Sequence, residues 1–420
     1  MLSVEFEREK EIASLETRIG NGKIKIVAGL RRAGKSYLLD PLFKRFLVGK
    51  KGYREENFAI KDFSKQDEIS DADGLKKYLN SLLGKDIKFI FLDEAQECGA
   101  SFAEVILKFH HMHGEFDIYL TGSNSKTLSE DIVEIFKDDG DPLFIESLSY
   151  KEIAEVLPSF ALEDYFETGG LPVIVRQESE SLRVSALDSL LRNLYFTDIK
   201  SRLEKGASLK KLASGEAPDV IQDVCANLTS PMSIASLARR YSGKGRGGSA
   251  LDKNDFSLDC LSILKEAENA YLLYRYAYPY PEKEERNPHA WVGHQFKYYC
   301  YDLGLLERIS LVDEPQGIAL ENAVYLELRR RGIKARPFIL FDEKGNERAN
   351  IDFCFSYKGQ DVLLQVTYEI NAFDEEREVK KLASIDGDYR KCIVYKRNVL
   401  GEETNSIAYI QVEDFFLNFI

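Results

Sequence analysis

Nothing in the 420 residues offers a disulfide framework, a membrane span or a basic coat. The six cysteines (Cys98, Cys225, Cys260, Cys300, Cys354 and Cys392) are scattered, with no C-x-x-C pair. That pattern points to buried free thiols in a reducing cytoplasm. No apolar run approaches the roughly 18 residues that a spanning helix requires. Met1 to Arg18 is heavily charged and shows no apolar core of a signal peptide. With 57 basic and 70 acidic residues the net charge is −13, which argues against broad coating of nucleic acid but leaves room for a local basic patch. Of only five histidines, three (His110, His111 and His113) cluster near a predicted helix end. No acid or thiol stands at ligand spacing from them, so they read as solvated capping residues rather than a metal site. Internal repeats and low-complexity tracts are also lacking.

What is present is ordinary globular composition, 44% hydrophobic and 30% charged, in a chain long enough for about two to four domains. Gly29-Leu30-Arg31-Arg32-Ala33-Gly34-Lys35-Ser36 fits the phosphate-loop pattern G-x-x-x-x-G-K-[S/T]. The alternating, β-branched run Lys23–Ala28 before it reads as a strand. Leu38, Leu39, Leu42, Phe43 and Phe46 after it fall at helical spacing. Between a strand and a helix, glycines let successive backbone N–H groups face phosphate oxygens, and the helix start adds positive potential. Gly29, Arg31, Arg32, Ala33, Gly34, Lys35, Ser36 and Tyr37 are therefore the expected nucleotide-binding residues. Lys35 would reach the β- and γ-phosphates, and the Ser36 hydroxyl would ligate Mg²⁺.

The pattern downstream alternates strand and helix. An amphipathic helix is expected over 4–19, strands at 58–63, 88–94, 116–124 and 143–148, and helices at 71–83 and 101–113. Such alternation implies a parallel sheet covered by helices on both faces, through about residue 150. The apolar run Lys88–Leu92 ends in Asp93-Glu94. In nucleotide hydrolases of this layout the aspartate takes hydrogen bonds from Mg²⁺-bound water and the glutamate polarises the attacking water. Thr121, Ser123 and Asn124 close the next strand, and Ser123 or Asn124 is the expected sensor of the γ-phosphate.

Residues 151–204 read as helical, broken at Gly169-Gly170-Leu171-Pro172. Across 205–312, short helices at 208–213, 220–227, 234–241 and 256–269 precede aromatic strands at 271–278 and 296–301, suggesting a winged helix. A third segment, 313–420, offers a helix at 320–332 and strands near 336–341, 349–356, 361–367 and 391–395. Between Lys200 and Asp255 ten basic residues face six acidic ones. Arg239, Arg240, Lys244 and Arg246 cluster beside a glycine-rich loop. Two readings stay open: backbone contacts to double-stranded DNA, or a solvated face on a module that meets a protein partner or a second copy.

GLRRAGKS, FIFLDEAQ, YLTGSNS, the ETGGLP break, YFTDIKSR and the late NIDF and LLQVT together resemble a prokaryotic AAA+-type family, ATP-binding proteins of archaea and bacteria with an uncharacterised C-terminal half. The resemblance spans nearly the whole chain. It implies an α/β fold: an ASCE-type P-loop parallel sheet with flanking helices over 1–150, then a helical lid over 151–204. A winged-helix-like domain over 205–312 and a small α+β domain resembling the PD-(D/E)XK nuclease fold over 313–420 follow. It also implies ATP and Mg²⁺ as cofactors, Ser36 and Asp93 at the metal, Glu94 as catalytic base, and Ser123–Asn124 as sensor.

Two departures qualify it. The family's Gly-Arg step, a candidate arginine finger, is replaced by Gly140-Asp141, which implies slow turnover unless Lys137 or Arg202 substitutes. In the nuclease-like segment Asp352 is present, but the glutamate and lysine of the metal site are Gln365 and Thr367. Glu321, Glu327 and Asp352 remain as a weak oxygen set, and the departure implies a degenerate fold kept for binding or assembly. The expected activity is thus a Mg²⁺-dependent ATPase that drives a conformational switch. The alternatives are a nucleotide-gated DNA- or protein-binding switch with negligible turnover, or an ATPase-coupled nuclease.

Overall fold

The computed structural model describes residues 2–63, 71–99, 101–122, 136–206, 209–242, 250–278, 295–310, 316–341, 347–371, 373, 375–399 and 406–419. They form two units, Ser3–Ser147 with Leu171–Arg176, and Leu148–Gly170 with Gln177–Ile420 and Met1–Leu2.

In the first unit β1 (Ile24–Gly29), β2 (Phe58–Asp62), β3 (Phe89–Asp93), β4 (Asp117–Thr121) and β5 (Gly140–Ile145) make one sheet in the order β2-β3-β4-β1-β5. Every neighbouring pair is parallel. β1 is buried from end to end, as a strand covered on both faces must be. The period-two alternation sorts its neighbours' side chains. Ile90, Leu92, Ile118 and Leu120 join Leu75, Leu79, Phe102 and Ile106 of the helices Ala72–Asn80 and Phe102–Met112 in one core. Phe91 and Tyr119 turn the other way, onto Phe43 of the helical stretch after the phosphate loop, with ring centroids 6.5 and 5.6 Å away.

The first helix and β5 differ from the sequence reading. The first helix is only Glu9–Glu16, because Arg8 adopts a left-handed backbone (φ 51°) that no helix continues through. β5 begins at Gly140, earlier than expected. Pro142 lies on β5, an edge strand, where a residue without an N–H is tolerated. Against β5, Gly29 (φ 140°) approaches so closely that a Cβ there would lie 2.1 Å from the Ile145 carbonyl oxygen.

The second unit holds two sheets. The helix Ala217–Cys225, β6 (Met232–Ser233), the helices Ile234–Ser242 and Ala250–Asn269, β7 (Leu273–Tyr278) and β8 (Gln295–Cys300) follow in chain order. Their strands pair antiparallel as β6-β8-β7. The helix expected over 208–213 is absent from its described part. The N–H groups of Lys210, Lys211 and Leu212 donate to the Asp259 carboxylate at 2.6–3.1 Å, which offers that backbone an alternative to a helix.

The other sheet runs β13-β12-β11-β10-β9, from β9 (Arg336–Phe341), β10 (Glu347–Tyr357), β11 (Gln360–Ile370), β12 (Tyr389–Asn398) and β13 (Ala408–Gln411). β9, β10 and β11 pair antiparallel, and β11-β12-β13 are parallel. The helix Gln316–Arg330 lies on this sheet. At the Gly169-Gly170 break, Asp302 accepts from the Gly170 N–H at 2.9 Å and caps the helix Leu303–Ile309 through Gly304 and Leu305. Among the described residues no helix is long and apolar enough to cross a membrane. All six cysteines are free and buried.

Candidate functional site

The parallel sheet sends the C-terminal ends of β1, β3 and β4 to the same edge, and the glycine loop springs from the first of them. Gly34 (φ 88°) turns the chain in a left-handed conformation into the helical start Lys35–Tyr37. Arg32 is also left-handed (φ 65°) and exposed, whereas Arg31 is buried. Lys35 is 6% exposed, and its ammonium donates to the loop carbonyls of Gly29 (3.1 Å) and Leu30 (2.8 Å). Burial pushes its pKa down to about 8, against the pull of Glu94 and Asp93 and with a push from Arg31. That balance places both carboxylates within electrostatic reach of the ammonium.

Asp93 ends β3. Burial holds its carboxyl above the usual range, opposed by hydrogen bonds from the Ser36 and Thr121 side chains. Thr121 stands opposite Asp93 in register on β4, and its hydroxyl donates to Oδ1. Ser36 and Asp93, foreseen as the metal pair, therefore meet. Both offer hard oxygen atoms, the donor type that Mg²⁺ takes.

Glu94 follows in a left-handed conformation (φ 54°), rare for a residue with a side chain and concentrated where function over-determines the backbone. Its N–H donates to the Thr121 carbonyl at 3.2 Å. The Gln96 side-chain amide donates to Oε2 of Glu94.

Lys35, Ser36, Asp93 and Glu94 thus lie close together at this edge. The expected sensors Ser123 and Asn124 lie outside the described residues. Tyr37 is 43% exposed, and its hydroxyl donates to Glu5, which Arg45 also engages at 2.7 Å. Those bonds hold the Glu5 carboxyl below the ordinary range. Of the candidate arginine-finger substitutes, Lys137 is exposed, while Arg202 is committed to Asp198 (2.6 Å) and Glu266 (3.7 Å). His110 is not solvated as expected. It is buried, with Nε2 3.1 Å from the Gly22 carbonyl oxygen, and His111 meets Asp139 at 3.0 Å.

Two contributors escaped the sequence reading. Gln96 shows no signal beyond its place after the acidic pair. Arg8 shows none at all, yet its guanidinium donates to the carbonyls of Ala33 in the loop and Glu146 after β5, both at 3.0 Å. In a trans peptide the carbonyl and the next N–H point opposite ways, so holding the Ala33 oxygen aims the Gly34 N–H toward the loop's other side.

Residues 21–154, which include the loop, the acidic pair and β1–β5, match a family model described as an AAA domain. An uncharacterised protein of Methanocaldococcus jannaschii is 26% identical over 87% of this chain and 79% of its own length. An uncharacterised protein of Haemophilus influenzae is 24% identical over 94% of both chains. Among solved structures, AMPPCP-bound DnaA from Aquifex aeolicus aligns over 64% of this chain and 89% of its own, at 16% identity and a TM-score of 0.29. The residues matched to the AAA domain thus carry an α/β fold, five parallel strands flanked by helices.

Proposed function

We propose that the chain is a Mg²⁺-dependent ATPase whose turnover drives a conformational switch. The observation that carries this reading is the meeting of Lys35, Ser36, Asp93, Glu94 and Thr121 at one sheet edge. Lys35 exchanges its loop carbonyls for triphosphate oxygens, and the backbone amides of the glycine loop wrap the phosphates. Ser36 and Asp93 would hold the metal, which would supply charge neutralisation to the triphosphate. Glu94 orients and deprotonates the attacking water, and Ser123 or Asn124 senses the γ-phosphate. ATP, rather than GTP, is favoured by the family resemblance.

Phosphate release by purified protein tests this. Activity that falls at least a hundredfold in both Lys35→Ala and Glu94→Gln supports it, whereas turnover indifferent to Glu94→Gln overturns the assigned base. Calorimetry with Mg·ATP and Mg·GTP would show which base is taken.

The second reading, a nucleotide-gated binding switch, draws on the middle segment. The order helix, strand, helix, helix, strand, strand with sheet order β6-β8-β7 suits a winged helix over 205–312, between a helical lid (151–204) and the C-terminal α+β domain (313–420). Arg239 and Arg240 are exposed on the helix Ile234–Ser242, with Arg240 3.2 Å from Asp223. They would suit contacts to duplex DNA or to an acidic protein partner. Lys244 and Arg246 fall outside the described residues. Anisotropy with duplex DNA across a salt series separates the two, since phosphate contacts weaken as salt rises.

A further inference from the structure

The C-terminal sheet offers an acidic pair that its nuclease-like resemblance would assign to a divalent cation: Glu321, on the helix Gln316–Arg330, and Asp352, on β10. A positive charge already stands between them, and it belongs to the chain. Lys297, on β8 and only 4% exposed, places its ammonium 3.3 Å from Oε1 of Glu321 and 3.9 Å from Oδ1 of Asp352.

The surrounding atoms are committed in ways that do not suit a metal. The Tyr299 hydroxyl donates to Oε1 of Glu321 at 3.1 Å. The other Asp352 oxygen accepts from the Gln365 amide (2.8 Å) and the Val366 N–H (2.9 Å). Gln365 turns its amide oxygen, the one atom of that side chain able to ligate a cation, to the Asp352 N–H at 3.3 Å. Thr367 donates to the Glu369 carbonyl, and Glu327 serves Arg331 at 2.6 Å. Among the described residues no group of three or more His, Cys, Asp or Glu is placed to hold a metal ion. Mg²⁺ wants six oxygens at about 2.0–2.1 Å in near-octahedral array, and it would be repelled by an ammonium fixed beside the same two carboxylates.

We infer that Lys297 is the resident cation of this site. Its ammonium holds Glu321 and Asp352 together in place of a divalent ion, so the pair joins β8, the helix Gln316–Arg330 and β10 instead of hydrolysing a phosphodiester. A buried pair that loses one partner leaves an uncompensated charge, so removing this lysine exposes two facing carboxylates that a divalent cation can then satisfy.

The test uses full-length wild type, Lys297→Met, Asp352→Asn and the Lys297→Met/Asp352→Asn double variant, without nucleotide, titrated with Mn²⁺ from EDTA-treated stocks. Thermal unfolding and Mn²⁺ electron paramagnetic resonance are the readouts. Any Mn²⁺ taken up near Asp93 is common to all four and cancels. Lys297→Met is expected to unfold roughly 5–15 °C below wild type, and millimolar Mn²⁺ to restore a large part of that loss. The double variant should show no restoration, and wild type should bind no more Mn²⁺ than Asp352→Asn. Wild type binding an Mn²⁺ ion that Asp352→Asn abolishes would overturn the inference, as would a folded Lys297→Met indifferent to Mn²⁺. If Lys297→Met does not fold, the comparison of wild type with Asp352→Asn still decides. None of these readouts depends on ATP turnover, so the inference and the ATPase reading fail separately.

Discussion

Thr121 and Asp93 face each other in register across β4 and β3, and the threonine hydroxyl closes on the aspartate's Oδ1. One strand's terminal hydroxyl thereby steadies the carboxylate assigned to the metal on the next.

Thr121→Val removes that donor and keeps the shape. A hydrogen bond to a charged group contributes about 1.5–3 kcal/mol, so the Mg²⁺ concentration giving half-maximal phosphate release should rise roughly tenfold or more. Turnover at saturating Mg²⁺ should change little. An unaltered Mg²⁺ dependence would remove Thr121 from the site.

Lys35 predicts a pH effect of definite sign. Its pKa of about 8 in the fold lies below the ordinary 10.5, so between those values the folded chain binds fewer protons than the unfolded one. Stability against urea should therefore rise with pH across that window, by at most about 3 kcal/mol, and the rise should vanish in Lys35→Met. Triphosphate affinity should move oppositely, falling above pH 8 by up to about tenfold per unit, because the anion selects the ammonium. Calorimetry in buffers of different ionisation enthalpy should then record proton uptake on binding.

Arg8→Ala releases the Ala33 and Glu146 carbonyls. A loop no longer held should bind Mg·ATP about tenfold more weakly, with Arg8→Lys recovering only part of the loss because an ammonium lacks the planar fork. A variant that is merely less stable, with unchanged affinity in its folded form, would limit Arg8 to packing.

Gly29→Ala is expected to be severely destabilising. The new methyl would sit 2.1 Å from the Ile145 oxygen at a φ of 140°, so β1 and β5 must separate. Recovery of soluble, cooperatively melting protein within about 1 kcal/mol of wild type by urea titration would contradict the observed approach.

Much of this was legible in the chain because it is locally encoded. Glycine spacing, an apolar run ending in Asp93-Glu94 and period-two alternation each depend on neighbours in sequence, and β1 to β4 fall close to their expected places. What was hidden is long-range. Arg8 acts on a carbonyl 138 residues away, and no local pattern marks an arginine that serves backbone atoms. Lys210 to Leu212 read as helix until Asp259 claims their amides. β13 and the helix Val412–Asn418 went unnoticed because four residues make too short a strand to show a period. Glu321 and Asp352 were visible as acids, but their partner Lys297 precedes them on another sheet, so the charge that completes them was not.

The Asp302 carboxylate has a consequence for synthesis. It binds the Gly170 amide from 132 residues further along the chain, while the same group starts the helix Leu303–Ile309. A ribosome making this protein must therefore deliver more than a hundred further residues before the paired glycines receive their acceptor. Through that interval the Gly170 amide lacks the acceptor it has in the finished fold.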